Sequence, residues 1–94
     1  MFEWDPRKAE ANAAKHGVTF DDAVTIFLDA NALGGPDLQH SSAEARFRRL
    51  GRSADGHVLM IAYTLRRSSD AETIRLISAR RASRRERAAY VAKD

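Results

Sequence analysis

Arginine dominates the basic side chains of this sequence and is concentrated in the second half of the chain. Thirteen of the 16 basic residues are arginines, and residues 46–94 carry 13 basic against 5 acidic side chains. Residues 1–45 carry 3 basic and 8 acidic ones. Because the planar guanidinium fork suits bidentate contact with phosphate, the second half is predicted to bind RNA or DNA. The alternative is that these arginines only occupy solvated positions.

The arginines could also take part in cleavage of RNA without a metal ion. That reaction needs a base for the 2′-hydroxyl proton, an acid for the leaving 5′-oxygen, and cations near the phosphorus. Arginine stays charged at all ordinary pH values, so it can supply only the cations. Arg80 is the first candidate for stabilising the transition state, because it lies where a strand is predicted to end and a helix to begin.

The remaining candidates fall into two groups by role. The candidate proton carriers are Lys15, His16, His40, Glu72 and Tyr90, and the last four stand beside Arg80 in the catalytic group. Five cationic side chains are predicted to bind the RNA: Lys15, Arg46, Arg75, Arg84 and Arg87. Three of these proton carriers have a structural alternative. His16 can stabilise a helix end, Glu72 can be an exposed hairpin carboxylate, and Tyr90 can pack on the sheet.

Several classes of chemistry are disfavoured by the composition. The absence of cysteine excludes disulfides, thiolate zinc sites and a cysteine nucleophile. The acidic residues form no compact cluster and the three histidines are widely spaced, so neither a metal nor another cofactor is expected. The N-terminus shows no signal-peptide pattern, and no apolar run is long enough to span a membrane. A cytoplasmic location is therefore expected.

The acidic half is predicted to hold a short strand and a helix. Residues 2–4 alternate apolar and polar side chains, as in a strand. Asp5-Pro6 then provides a helix cap with proline at the first helical position. Helix-forming residues continue to His16, and Gly17 is placed to end the helix.

A second helix is predicted to follow at once. Thr19 and Asp22 resemble a capping box, and apolar residues then recur with helical spacing as far as Leu28. From Asn31 to about Ser42 the sequence predicts a polar loop that contains Gly34-Gly35-Pro36.

The basic half is predicted to form three antiparallel strands and a helix. The strands span residues 46–52, 58–65 and 73–79, with turns at Asp55-Gly56 and at Ser68-Ser69-Asp70. A capping box of Ser83 with Glu86 opens the last helix. If that helix begins near Arg80, then Arg80, Arg84 and Arg87 form one row on it. We expect a single α+β domain over residues 1–94, with a small antiparallel sheet packed on the two N-terminal helices.

These residues together resemble the BrnT family of toxins, whose fold is similar to that of the RelE ribonucleases. The first part of the resemblance is carried by Phe2-Glu3-Trp4-Asp5, Lys8-Ala9, Asn12, Lys15-His16-Gly17-Val18 and Phe20. The middle part is carried by Ala23, Phe27, Asp37, His40, Glu44, Arg46 and Gly51. The last part is carried by Tyr63-Thr64, Ile74-Arg75, Ile77-Ser78-Ala79-Arg80, Ala82, Glu86-Arg87 and Tyr90.

The resemblance implies a ribonuclease toxin of a bacterial toxin–antitoxin pair. Such a toxin arrests growth by cleaving RNA, is neutralised by a BrnA-type antitoxin, and reaches operator DNA only in the complex with that antitoxin. Two alternatives stay open, because the binding and the cleavage of phosphate require the same arginines. One is a noncatalytic RNA- or DNA-binding module, and the other is a repressor subunit that has lost activity.

Overall fold

The computed structural model describes residues 1–41, 44–69 and 71–93. Within those ranges five strands and three helices follow one another: β1 (Phe2–Glu3), α1 (Pro6–His16), α2 (Phe20–Ala23), β2 (Leu33–Pro36), β3 (Arg46–Arg52), β4 (Val58–Ser68), β5 (Ala71–Arg81) and α3 (Arg84–Lys93). Two 3₁₀ segments lie at Val24–Leu28 and Leu38–His40. The α+β class is confirmed. None of the helices in the described ranges is long and apolar enough to cross a membrane.

All five strands belong to one sheet in the order β1-β5-β4-β3-β2. The pairs among β2, β3, β4 and β5 are antiparallel, whereas β1 pairs with β5 in parallel. The prediction of a small antiparallel sheet is therefore incomplete, since the predicted short strand β1 joins the sheet in parallel and β2 is an additional strand. A parallel pair needs a long crossover, and here the chain between β1 and β5 supplies it.

The first two helices cover one face of the sheet. The buried residues of this main core are Val18, Phe20, Ala23, Ile26, Leu59, Ile61, Tyr63, Leu76 and Ala79. In a smaller cluster, Leu50 and Val58 of the sheet pack against Tyr90 of α3, and Met60 packs against this cluster. Because residues 50, 58 and 60 alternate with the main-core residues along β3 and β4, α3 lies on the opposite face. That second face is covered by α3 near one end.

Helix α1 follows its prediction residue for residue and is fixed to the sheet by Asn12. The Asp5 side chain caps its start, and Gly17 ends it with φ 68°. Asn12 is buried, and its amide donates to the carbonyl of Ala79 at 2.8 Å and accepts from the Ala79 N–H at 3.1 Å. The side chain thereby satisfies backbone groups of β5 that would otherwise be buried without partners.

The second helix is shorter than predicted. Thr19 caps its start as expected, accepting from the N–H of Asp22 at 3.1 Å. The α-helix stops after Ala23, however, and continues as a 3₁₀ segment. The Thr25 hydroxyl donates to the Asp22 carbonyl at 2.6 Å and accepts from the Ala54 N–H at 2.8 Å. This local bonding, within a run of β-branched residues, competes with the regular helix.

The predicted loop after residue 31 contains edge strand β2. Gly34 pairs with Arg49, and a Cβ at Gly34 would lie 2.9 Å from the carbonyl oxygen of Arg48. An edge strand tolerates proline because only one of its sides is paired, so Pro36 closes the strand without disrupting it. Gly34 thus permits close strand pairing, although a Gly-Gly-Pro sequence is typical of a loop.

The β4–β5 hairpin is also longer than predicted, since pairing continues to Ser68 with Ala71. Ser69 begins the turn with φ 56°, and Asp70 of the predicted turn lies outside the described residues. Ser42, where the predicted loop was to end, also lies outside them.

Candidate functional site

A basic groove lies on the face of the sheet opposite α1 and α2. It has a volume of about 250 Å³, and its charged and titratable lining residues are Asp37, His40, Arg46, Arg48 and Arg80. Met60, Ala62, Ile77 and Ser78 form its floor and one wall. We call this site the groove. It brings together side chains from β3, β4 and β5, together with Asp37 and His40 from the segment after β2.

Strand register explains why the arginines converge. Arg48 pairs with Ala62, and Ala62 pairs with Ser78, so these three residues form one row across the sheet. Met60 pairs with Arg80 in the next row. Because side chains alternate between faces along each strand, the members of both rows point to the same side.

A β-bulge in β5 changes the face on which its later residues lie. Ala62 pairs with Ser78, but the next residue, Tyr63, pairs with Leu76, so Ile77 is the extra residue. Simple alternation from Arg75 would put Arg80 on the opposite face of the sheet. The bulge restores Arg80 to the face that carries Arg75, which is a typical way for a bulge to re-aim a side chain near a functional site.

His40 is oriented in the groove by Asp37. Its Nδ1 lies 2.9 Å from the Asp37 Oδ2, and the same oxygen lies 3.9 Å from the Nε of Arg48. Burial raises the pKa of Asp37, but the hydrogen bond from His40 and the nearby positive charge outweigh it, so the net pKa lies below its ordinary value. Asp37 therefore stays ionised and can hold the imidazole by its Nδ1–H, with Nε2 free to face a ligand.

The segment that carries this pair is tied to β3 by its backbone. The Asp37 N–H donates to the carbonyl of Arg46 at 2.8 Å. The Ser41 hydroxyl donates to the Asp37 carbonyl at 2.8 Å and accepts from the Arg46 N–H at 2.9 Å. His40 is therefore fixed relative to the strand that supplies Arg46 and Arg48.

Arg80 is fixed by the cap of α3. Its Nη1 and Nη2 donate to the two carboxylate oxygens of Glu86 at 2.7 and 3.0 Å. Glu86 also accepts from the Ser83 N–H at 2.8 Å, and its own N–H donates to the Ser83 hydroxyl at 3.1 Å. The hydrogen bond from Arg80 lowers the pKa of Glu86 to about 2, and the same bond raises the pKa of Arg80. The capping role predicted for Glu86 is confirmed.

One part of the prediction for Arg80 is wrong. Arg80 belongs to β5, and α3 begins only at Arg84. The predicted helical row of Arg80, Arg84 and Arg87 therefore does not exist. The Ser83–Glu86 capping box starts the helix after Ser83, which leaves residues up to Arg81 in the strand.

The other candidates lie outside the groove. Lys15 and His16 line a neighbouring cavity that shares Ile77 and Ser78 with it. Arg75 donates to Glu3 at 2.6 Å, on the same face as the groove. Glu72 lies in the distal hairpin, 3.5 Å from Arg67.

The candidates on α3 also lie away from the groove. Tyr90 is 2% exposed, and its hydroxyl donates to Asp29 at 2.5 Å. That bond is the largest cause that raises the pKa of Tyr90 above its ordinary value. Arg84 and Arg87 are exposed.

Sequence reasoning did not assign Asp37 and Arg48 to the site. The signals that could have found them are the i,i+3 spacing of Asp37 with His40 and the alternation of Arg48 with Arg46 on one strand face. Within the described ranges, no group of three or more histidine, aspartate and glutamate side chains is placed to bind one metal ion.

Comparison with known proteins agrees with this architecture. A family model described as the ribonuclease toxin BrnT of type II toxin–antitoxin systems matches residues 4–86. The crystal structure of the Brucella abortus ribonuclease toxin BrnT, solved at 1.1 Å, is 25% identical and superposes with a TM-score of 0.64. The match covers 89% of this chain and 99% of that one. No curated protein sequence matches the chain. The chain belongs to the BrnT family of ribonuclease toxins of type II toxin–antitoxin systems, which implies an antitoxin partner.

Proposed function

We propose that this toxin is a metal-independent endoribonuclease and that the groove is its active site. The observation that carries the proposal is the convergence of the His40–Asp37 pair with Arg46, Arg48 and Arg80 in one groove. These residues supply the base, the carboxylate that orients it, and the cations that metal-free cleavage of RNA requires, and water in the open groove supplies the acid.

In the proposed reaction His40 acts as the general base. Its imidazole takes the proton from a 2′-hydroxyl, the 2′-oxygen forms a bond to phosphorus, and the bond from phosphorus to the 5′-oxygen breaks. The leaving oxygen takes a proton from water in the open groove. Arg48 and Arg80 stabilise the negative charge that builds on the phosphate oxygens. The products are a 2′,3′-cyclic phosphate and a 5′-hydroxyl.

Arg46 extends the positive surface along β3 and binds the RNA beside the scissile phosphate. Arg75 lies on the same face, although its guanidinium is engaged by Glu3. Lys15 and His16 line a cavity that shares Ile77 and Ser78 with the groove, which supports a role for them in contacting RNA that leaves the groove on that side. Glu72 and Tyr90 have no role in this proposal.

Three further features belong to the same proposal. Residues 1–94 act as one toxin domain, and its fold is RelE-like. The antitoxin is of the BrnA type and covers the groove, so that it blocks RNA while the complex, through the antitoxin, binds operator DNA. The positive charge of residues 46–94 supports an acidic contact surface on that antitoxin.

The deciding experiment is cleavage of a defined RNA in the presence of EDTA, with identification of the 3′ end. We expect full activity and a 2′,3′-cyclic phosphate. His40→Ala should lower the rate by about 100-fold or more. His16→Ala is the matched histidine control and should have a much smaller effect. Loss of cleavage in EDTA would refute the metal-free mechanism. RNA binding without any cleavage would instead favour a noncatalytic binding module.

A further inference from the structure

A second basic cavity lies where three strands end beside α3. Arg52 ends β3, His57 precedes β4, Arg81 ends β5, and Arg87 lies on α3. These four side chains line a cavity of about 280 Å³ that is separate from the groove. Among the described residues that line it, none is a carboxylate. We call this site the second basic cavity.

Two of its arginines are oriented by hydrogen bonds and by an aromatic ring. The Nη1 of Arg52 donates to the carbonyl of Gly56 at 3.0 Å, and its guanidinium lies 5.6 Å from the ring centroid of Tyr90. The Nη2 of Arg81 lies 3.2 Å from Nε2 of His57. Because a guanidinium can only donate, this imidazole nitrogen accepts. Each arginine has five N–H donors, so both guanidinium groups retain donors for a further ligand.

The electrostatics of the second basic cavity favour an anion. Three guanidinium groups around one small space repel one another, and the lining offers no negative charge to offset them. Asp29 does not line the cavity; its carboxylate accepts from the Tyr90 hydroxyl and from the Arg52 backbone N–H, and its charge offsets part of that of Arg52. Arg81 and Arg87 have no carboxylate beside them in the described lining. A phosphate in the cavity would relieve the repulsion and match the planar forks.

We propose that the second basic cavity binds an internal phosphodiester of the same RNA strand whose scissile phosphate occupies the groove. This proposal rests on the proposed function of the groove. Arg48 in the groove and Arg52 in the cavity are four residues apart on β3, which corresponds to ~13 Å between their Cα atoms. One RNA strand can therefore reach both sites. A small concave cavity suits a single phosphate better than an extended acidic segment of a protein.

The test compares two double variants that each remove two exposed positive charges. Arg81→Gln with Arg87→Gln alters the second basic cavity, whereas Arg7→Gln with Arg85→Gln alters exposed positions that do not line it. The probe is a short single-stranded RNA with 2′-O-methyl groups, which block cleavage, and with a 5′-hydroxyl end, so that only internal phosphodiesters are offered. The affinity is measured over a range of salt concentrations.

Log affinity falls as log salt concentration rises, and the slope of this line reports the number of phosphate contacts. The slope of the cavity variant should be shallower than that of the control by about 0.7, the value for one phosphate contact on a single strand. With cleavable RNA its KM should rise while kcat stays unchanged. If the double variant does not fold, Arg87→Gln alone replaces it, and Arg85→Gln alone becomes its control. Equal slopes for variant and control overturn the proposal. Loss of antitoxin affinity with an unchanged RNA slope also overturns it and assigns the cavity to an acidic protein segment. If the salt slopes of variant and control differ but the wild type does not cleave RNA, the groove is not a ribonuclease site, whereas the binding of an RNA phosphate in the second basic cavity still stands.

Discussion

Arg80 and Glu86 form a bidentate ion pair that joins the last residues of β5 to the first turn of α3. Glu86 accepts from the Ser83 N–H with the same Oε1 that binds Arg80. The orientation of a proposed catalytic arginine therefore depends on the cap of a neighbouring helix. This coupling means that Arg80 contributes to the stability of the fold as well as to the charge of the groove.

Replacing Glu86 with glutamine should destabilise the protein in a pH-dependent way. The pKa of Glu86 is lowered from 4.5 to about 2 in the folded state, chiefly by Arg80. Its ionised form therefore stabilises the fold fully above about pH 4.5, and this contribution is lost as the pH falls through about 2. Because the Arg80 side chain of this ion pair is 41% exposed and solvent screens its charge, Glu86→Gln should cost about 1 kcal/mol at neutral pH. That corresponds to a melting temperature lower by about 4–8 °C.

The measurement is thermal unfolding of the wild type and the variant from neutral pH down to pH 2. The difference between their melting temperatures should shrink as the solution becomes more acidic. Glu10→Gln removes an exposed carboxylate of α1 and should show no such difference. A constant gap between wild type and Glu86→Gln at all pH values would contradict the assigned pKa.

Replacing Asp37 with asparagine should impair catalysis more than folding. The neutral amide would no longer provide the charge that holds the His40 Nδ1–H, so the imidazole would lose its fixed orientation. We expect kcat to fall by about 10-fold or more, with a smaller change in KM. Asp21→Asn, on the exposed side of α2, is the matched control. An unchanged kcat for Asp37→Asn would remove the pair from the mechanism.

The sequence predicts best those elements whose pattern is local. The bounds of α1 follow from Asp5-Pro6 and Gly17, and the Ser83–Glu86 capping box is present as predicted. Edge strand β2 is not predicted because Gly34-Gly35-Pro36 forms a strand only through its pairing with β3. The bulge at Ile77 escapes prediction for a related reason, since its position depends on the register between β4 and β5.

The candidate site shows the same limit. Arg80 and His40 are both candidates by residue type and both line the groove, but nothing in the sequence predicts the distance between them. Their proximity requires the pairing of β2 with β3, which no local pattern contains. Tyr90 and Glu72 are plausible by residue type alone. The Tyr90 hydroxyl donates to Asp29, which is distant in the sequence, and Glu72 forms an exposed ion pair with Arg67 in the hairpin. Residue type alone predicts neither contact.

Replacing Tyr90 with phenylalanine should reduce stability and leave the cleavage rate of the folded protein unchanged. The Tyr90 hydroxyl donates to Asp29, which ties α3 to the segment after α2. Loss of a hydrogen bond to a charged group should cost about 1.5–3 kcal/mol. Urea unfolding measures the stability, and single-turnover cleavage measures the rate. A variant with normal stability and impaired cleavage would return Tyr90 to the catalytic candidates.

Binding of the antitoxin should raise the melting temperature of the toxin and exclude RNA. A partner that binds only the folded state adds stability according to its concentration and affinity, about 2.7 kcal/mol at 100 times its dissociation constant. Differential scanning calorimetry of the toxin, with and without antitoxin, measures this effect. A 2′-O-methyl RNA should compete with the antitoxin for the groove. If toxin bound to antitoxin still takes up RNA with the same affinity, the antitoxin does not cover the groove.

Replacing Arg80 should abolish growth arrest through the loss of transition-state charge. Removing one such electrostatic contact is worth roughly 100-fold or more in rate, which a growth assay registers readily. Arg80→Lys keeps a charge but loses the planar fork, so it should recover only part of the toxicity.

Because Arg80→Ala alone would leave the Glu86 carboxylate without its partner, the double variant Arg80→Ala with Glu86→Gln separates the effect on catalysis from the effect on folding. The double variant should remain folded, bind the antitoxin and be non-toxic. Arg7→Ala, which alters an exposed position on α1, should remain toxic. Full toxicity of the folded double variant would exclude Arg80 from the site and leave Arg46 and Arg48 as the cations to test beside His40.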